Sequence, residues 1–302
     1  IEVNAVADSK AAVAQNSMNI AKIIESKEKN DIRSSGYKVV DMDWINESDS
    51  DILIDAMPAS DNGRREYEIY SAAMHRGKDV VTANKSGLAN YWKEIMDASK
   101  NSRRNIRYEA TVAGGVPLFS VIDFSLMPSE VTGFRGIVSL TVNYFIRRMA
   151  HGEKFEDILA DARKLGILET NYHDDTMGID AARKSVILAN SLFGTSYTVN
   201  DVVYRGVENL NEDEINSLTA NTRIVTEIER MGNKVNASSK PLNLNDGDFL
   251  LKIAEKGLGF QIITDSNGTV NVTDDYDGPY ETAGGVVNDV IISAVERING
   301  NK

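Results

Sequence analysis

The chain has 302 residues, 42% hydrophobic and 26% charged, a composition that fits a globular protein with room for two domains and a sizeable core. Its 33 basic and 45 acidic residues leave a net charge of −12, which argues against a nucleic-acid or anionic-membrane partner. It has no cysteine, which excludes disulfides, zinc–thiolate and iron–sulfur centres and thiol catalysis; no apolar run approaches the ~18 residues of a membrane span, and the expected setting is the cytoplasm.

Residues 1–7 (IEVNAVA) form a short apolar run rich in β-formers that ends at Asp8. A helix is expected over 19–29, a strand over 51–55 and a helix over 64–76 that stops at Gly77. Next come a strand at 79–82, a helix at 87–100 and a strand at 106–110. Strands alternating with helices are βαβ units, so the first 109 residues predict a parallel, doubly wound sheet. Residues 115–124 are helix-like and 133–140 strand-like, followed by a helix through Arg148. Two further helices are expected at 154–165 and 178–194. Between 200 and 275, DFLLKIA, GFQIIT and TVNVT look like short strands, with a hairpin turn at 265–268 (DSNG). An apolar helix at 282–297 closes the chain. The fold class is therefore α/β, a Rossmann-type nucleotide-binding domain (1–109) followed by an α+β domain (110–281), with 282–302 as a C-terminal helix.

A strand ending in an acid fits the second strand of a dinucleotide fold, where the acid bonds the adenosine ribose. Asp8 has that position, but taken alone it fits better an ordinary strand-end residue capping a turn. No G-x-G-x-x-G loop occurs in these residues. The chain opens directly in strand-like sequence at Ile1, so a further βα unit carrying that loop is expected before it.

The densest chemistry lies in LGILETNYHDDTMGIDAARK, residues 165–184. Asp180 and Lys184 are four apart and share a helix face. A carboxylate beside a lysine can orient its ammonium for proton transfer, although such a pair is most often a solvated salt bridge of little worth. Carboxylates upstream on a loop suit a cationic substrate group. The three histidines, His75, His151 and His173, are too scattered for a metal cluster. His151 reads as a helix C-cap and His173 as a solvated loop residue.

Glu169, Asp175, Asp180 and Lys184, spaced E-x5-D-x4-D-x3-K, resemble the signature of the homoserine dehydrogenases. Further likenesses follow in the same order: VTANKSGLA (81–89), YEATVAGGVPLFS (108–120), GIVSLTVNYF (136–145) and DGPYETAGGVVNDVI (277–291). The closest likeness is to the short monofunctional archaeal form, without an aspartokinase fusion or an ACT domain. The resemblance implies an NAD(P)-dependent oxidoreductase that interconverts L-homoserine and L-aspartate 4-semialdehyde, acting as a homodimer. It implies Lys184 as acid–base, Asp180 as its orienting carboxylate and Lys85 as a second proton-transfer candidate. Glu169, Asp175 and Thr141 would hold substrate, with Ser139 standing where the family commonly has Asn. Asp8, Ser9, Met57, Pro58, Ala59, Asn84, Gly278 and Thr282 would line the NAD or NADP cleft. Asp8 favours the free ribose of NAD, whereas Ser9 and Lys10 could accept a 2′-phosphate. A monovalent cation such as sodium would use the Glu109 side chain and the carbonyls of Val112, Gly114 and Val116, where the residues alone also fit a hinge. Two rival readings are another amino-acid oxidoreductase of the same architecture, such as an aspartate dehydrogenase, and a non-catalytic nucleotide binder.

Overall fold

The computed structural model describes residues 1–165, 168 and 172–300. Among them the strands form three sheets. The first joins β1 (Ala5–Ala7), β2 (Ala12–Ala14) and β3 (Lys38–Val40), all antiparallel. This corrects the expectation of a parallel sheet throughout the first 109 residues. Four residues link β1 to β2, whereas a parallel crossover needs about a dozen or more. Helix α1 (Ile20–Glu28), capped by the Asn19 side chain, closes a small core of Val13, Met18, Ile23 and Ile32 over this sheet.

The expected parallel pattern holds in the second sheet, β4 (Ile52–Asp55), β5 (Asp79–Thr82) and β6 (Ile106–Arg107). The central strand β5 is buried on both faces, which is why it reads as an unbroken run rather than an alternating one. The short helix α2 (Trp44–Glu47) precedes β4, and helix α3 (Arg64–His75) ends at Arg76–Gly77, with Gly77 in the left-handed region. The single helix expected over 87–100 is two, α4 (Lys85–Asn90) and α5 (Trp92–Ser102). Tyr91 leaves the helical region between them (φ −131°) and stacks on Tyr67, ring centroids 5.2 Å apart. Strand β6 is shorter than expected, because the Glu109 N–H bonds Asp289 and the chain turns into α6 (Ala110–Ala113).

The third sheet has six strands in the order β12-β11-β7-β9-β10-β8. Strand β7 is Val131–Ile137 and β8 is Val203–Tyr204. The longest pair is β9 (Thr222–Met231) with β10 (Lys234–Asn243), joined at Gly232-Asn233. Strands β11 (Gly259–Thr264) and β12 (Thr269–Thr273) form the expected hairpin at 265–268. DFLLKIA is not a strand. Residues Phe249–Lys252 make a 3₁₀ turn, because the Asp248 carboxylate caps the Leu250 N–H and starts a turn instead. The helix-like stretch at 115–124 begins later, near Phe119, after a turn through Gly114 and Gly115.

Helices α7 (Leu140–Met149), α8 (Phe155–Lys164), α9 (Tyr172–Thr176) and α10 (Ile179–Phe193) follow β7, with α10 packed on β9, β10 and α4. A short helix, α11 (Glu212–Asn216), precedes β9. The last helix, α12 (Pro279–Gly300), packs back on β5 and α6. Arg297 fixes its end, reaching Asp51 at 2.9 Å, Asp79 at 3.2 Å and the Gly77 carbonyl.

Beneath the C-terminal ends of β4 and β5, Tyr70 donates to Asp55 at 2.5 Å and sits 2.8 Å from the Thr82 hydroxyl. Burial pushes the Asp55 carboxyl above its ordinary range, and the hydrogen bonds from Tyr70 and the Met57 N–H pull against that. Tyr70→Phe leaves a buried carboxylate oxygen short of a donor, so the folded state is expected to lose about 1–3 kcal/mol. Urea unfolding at pH 7 reads this directly, and an unchanged midpoint would show that the network carries no stability.

Candidate active site

Four elements converge beyond the C-terminal end of β5. The Thr82 hydroxyl accepts the Asn84 N–H, and the Asn84 side chain caps Ser86. These two bonds begin α4 at Lys85. Both Asn84 amide hydrogens are used inside the domain, toward the Pro58 carbonyl at 3.3 Å and Glu66 at 3.1 Å. Asn84 thus ties the turn after β4 to the start of α4. Within that turn Ala56, Pro58 and Ala59 are exposed and Met57 is half-buried. They present small and apolar groups at the carboxyl ends of parallel strands, where nucleotides sit in such sheets. Residues of this kind could border a nucleotide.

Opposite lies the first turn of α10. Gly178 at its N-cap adopts φ +83°, a conformation that favours glycine. A Cβ there would sit 3.0 Å from the Gly206 nitrogen, so the bend between α9 and α10 packs closely on the 205–206 segment. Asp180 and Lys184 then lie one turn apart on the face toward α4. Asp180 binds Lys184 at 3.1 Å and Lys85 at 3.1 Å through different oxygens. Its side chain is 13% exposed, as is that of Lys184, against 26% for Lys85. Lys184 also donates to the Val138 carbonyl, just past β7, at 2.5 Å. Burial pushes the Asp180 carboxyl up, but Lys184 and Lys85 outweigh it and hold the carboxyl well below the ordinary range. The arrangement is a carboxylate shared by two ammonium groups that come from separate parts of the fold.

Asp175 is half-buried on α9. Its neighbours anchor that helix. Asp174 pairs with Arg183 of α10 at 2.7 Å, and Glu208 accepts from Thr176 at 2.6 Å and lies 3.0 Å from His173. Arg183 lies in the 165–184 stretch singled out from the sequence, whereas Glu208 had no motif to mark it. His151 caps the end of α7 through the Arg147 carbonyl at 2.8 Å, as expected, while His173 is exposed but lies on α9 rather than in a loop. Thr141 lies in the first turn of α7, after the buried N-cap Ser139. Glu169 lies outside the described residues.

Two expected groups have other work. Asp8 does not end a strand of the parallel sheet. It caps the β1–β2 hairpin, accepting the N–H groups of Lys10 at 2.8 Å and Ala11 at 3.0 Å, and it pairs with Lys27. Ser9 is exposed in the same turn. Glu109 is buried, and its carboxylate accepts from the N–H groups of Leu118, Phe119 and Ser120 and from the Ser120 hydroxyl. Those four bonds fill the usual capacity of a carboxylate, so the cation expected at Glu109 does not fit this side chain. The Gly114 carbonyl lies against Gly285 of α12, and the Val116 N–H bonds Ala113. Gly278 and Thr282 stand at the entry to α12, where the Thr282 N–H makes a helical bond to Gly278.

The depressed Asp180 carboxyl gives stability that is fully present above its unfolded value near 3.8 and is lost as the pH falls below it. Asp180→Asn leaves two lysines facing each other. It is expected to cost about 2–3 kcal/mol at pH 7, less than breaking a fully buried pair because Lys85 is partly exposed. The gap from the parent should narrow below about pH 4, where the carboxylate of the unfolded chain begins to protonate while the folded one stays ionised. Unfolding midpoints at pH 7 and pH 3 test this, and an equal gap at both would contradict it.

The homoserine dehydrogenase family model matches residues 117–291, and that of the homoserine dehydrogenase NAD-binding domain matches residues 1–109. The homoserine dehydrogenase of Methanocaldococcus jannaschii is 30% identical over 96% of this chain and 88% of its own length. Among solved structures, the homoserine dehydrogenase of Thermoplasma acidophilum superposes with a TM-score of 0.88 at 51% identity, covering 97% of this chain and 90% of that one. A hyperthermophilic archaeal homoserine dehydrogenase in complex with NADPH superposes at 0.84 with 25% identity, over 97% and 88% of the two chains. The parallel sheet, the adjoining α+β unit and the Asp180 cluster all lie within the matched residues, and the chain belongs to the homoserine dehydrogenase family of NAD(P)-dependent oxidoreductases.

Proposed function

We propose that Lys184 carries the proton in the family's reaction, the interconversion of L-homoserine and L-aspartate 4-semialdehyde. The observation that supports this most is the Asp180 carboxylate held 3.1 Å from both Lys184 and Lys85. In the oxidative direction the Lys184 amine takes the hydroxyl proton as the C4 carbonyl forms. Asp180 stabilises the ammonium that results, and Lys85 offers a second cation to the developing oxygen charge. A bound nicotinamide supplies the hydride acceptor. Alignment of the alcohol against that acceptor lowers the barrier further.

Asp175 and Glu169 would grip the α-ammonium of the substrate, and Thr141 would add a hydroxyl from the first turn of α7. Met57, Pro58, Ala59, Asn84, Gly278 and Thr282 would border the cofactor, with Asn84 acting through the turn it holds. Asp8 would meet the ribose only by exchanging its contact with Lys27. Division of the chain near residue 109, with 282–302 returning to the nucleotide-binding domain, completes the assignment. Family membership supports a homodimer and a cytoplasmic setting.

Reduction of NAD+ and NADP+ with L-homoserine at alkaline pH tests this reading. Lys184→Ala is expected to lower kcat at least about 100-fold, the usual worth of a positioned acid–base, with the cofactor dissociation constant little changed. Turnover that survives in Lys184→Ala would refute the assignment. Reduction driven by L-aspartate and not by L-homoserine would favour the aspartate dehydrogenase reading.

A further inference from the structure

We infer that Glu66 is a positioning residue for the cofactor, a buried carboxylate that holds the 57–60 turn against the helix start carrying Lys85. The inference rests on the reading that this turn borders the nicotinamide cofactor.

Residues 56–63 join β4 to α3 without helix or strand, and most of them face solvent. Such a turn keeps one shape only through bonds from its polar groups to the structure beneath. Glu66 lies beneath it, in the first turn of α3, and is 1% exposed. Its Oε2 accepts the Ser60 hydroxyl at 2.5 Å, and its Oε1 accepts the Asn84 amide at 3.1 Å. The same Ser60 oxygen accepts the Gly63 N–H at 3.0 Å, so Glu66 fixes the hydroxyl that closes the turn onto α3. The Ser60 carbonyl accepts the Ser86 hydroxyl at 2.7 Å, and the Pro58 carbonyl accepts the Asn84 amide at 3.3 Å. Asn84 and Ser86 flank Lys85 in the chain. The turn therefore meets both neighbours of Lys85 directly, and Glu66 braces the three segments from below.

Close packing is built in at two glycines. A Cβ on Gly87 would lie 2.8 Å from the Glu66 Cβ, and one on Gly63 would lie 2.1 Å from the Ser86 carbonyl oxygen. Glycine at both positions leaves room for the starts of α3 and α4 to approach this closely. A buried carboxylate is stable only where donors answer it. Here one donor belongs to the turn and the other to the VTANK segment (81–85). Thr141 and Asp175, assigned to homoserine, stand on other elements, α7 and α9. Loss of Glu66 is therefore felt on the cofactor side of the site and not on the homoserine side.

The test is the KM of NAD+ and NADP+ beside that of L-homoserine in the parent, Glu66→Ala and Glu66→Gln, with melting temperatures recorded for each. Glu66→Ala is expected to raise the cofactor KM about tenfold, the worth of one or two lost hydrogen bonds. The homoserine KM is expected to stay within about twofold of the parent. Glu66→Gln is expected to stay near the parent in both, because its amide oxygen accepts from Asn84 and its NH2 donates to the Ser60 oxygen. A cofactor KM unmoved in Glu66→Ala overturns the inference, even if kcat or the melting temperature falls, because that pattern marks a residue that only supports the fold. An equal rise in both KM values overturns it too, as does an equal rise of the cofactor KM in Glu66→Gln. Ser60→Ala, which removes the hydroxyl alone, reads the same link if Glu66→Ala does not fold. A cofactor KM raised about threefold or more there supports the inference, and an unchanged one overturns it. Ala59→Trp separates the two claims, since it adds bulk to the exposed turn. Cofactor binding unaffected by Ala59→Trp defeats the reading of the turn and the inference with it. Weakened binding there, with an unmoved KM in Glu66→Ala, defeats the inference alone.

Discussion

The site depends on one carboxylate shared between two cations. Asp180 sits on α10, one turn before Lys184, and reaches across to Lys85 at the start of α4. A partly buried carboxylate with one cation roughly balances its desolvation cost, whereas two cations at 3.1 Å hold it firmly ionised. The contact also crosses the seam of the fold, since α4 belongs to the parallel sheet and α10 to the six-stranded one. The group proposed to orient the proton carrier is therefore also a bond between the two halves.

The backbone is arranged to deliver these three side chains. Lys85 stands where the central parallel strand ends, because Thr82 and Asn84 cap the helix that starts there. Lys184 is drawn toward the end of β7 by the Val138 carbonyl. Glu109, buried below, gathers the N–H groups of residues 118–120 and so fixes the turn through Gly114 and Gly115 against α12. That use of Glu109 is a cap on a helix start, where a carboxylate meets unpaired N–H groups and a favourable dipole.

Much of this was legible in the residues. The helix 178–194, the strand 79–82 and the Asp180–Lys184 pair follow from periodicity and from i,i+4 geometry. The contact between Lys85 and Asp180 did not, because they are 95 positions apart and no local pattern encodes a tertiary ion pair. The antiparallel β1–β3 sheet was hidden for a different reason. Short apolar strands look alike in either direction, and only the four-residue link between β1 and β2 excludes a crossover. The β9–β10 pair carried a usable signal in Gly232-Asn233, a two-residue hairpin turn. Residues 248–254 misled because their apolar content outweighed the capping aspartate at the front.

The claim that Asp180 works as a shared clamp is tested most directly by a double-mutant cycle on Lys85 and Asp180. Lys85→Ala, Asp180→Ala and the double variant would be compared with the parent in urea unfolding and in kcat. A shared clamp predicts a coupling energy above about 1 kcal/mol and strongly non-additive losses in kcat. Additive effects in both would mean that the two side chains act independently, and the account of the site would fail.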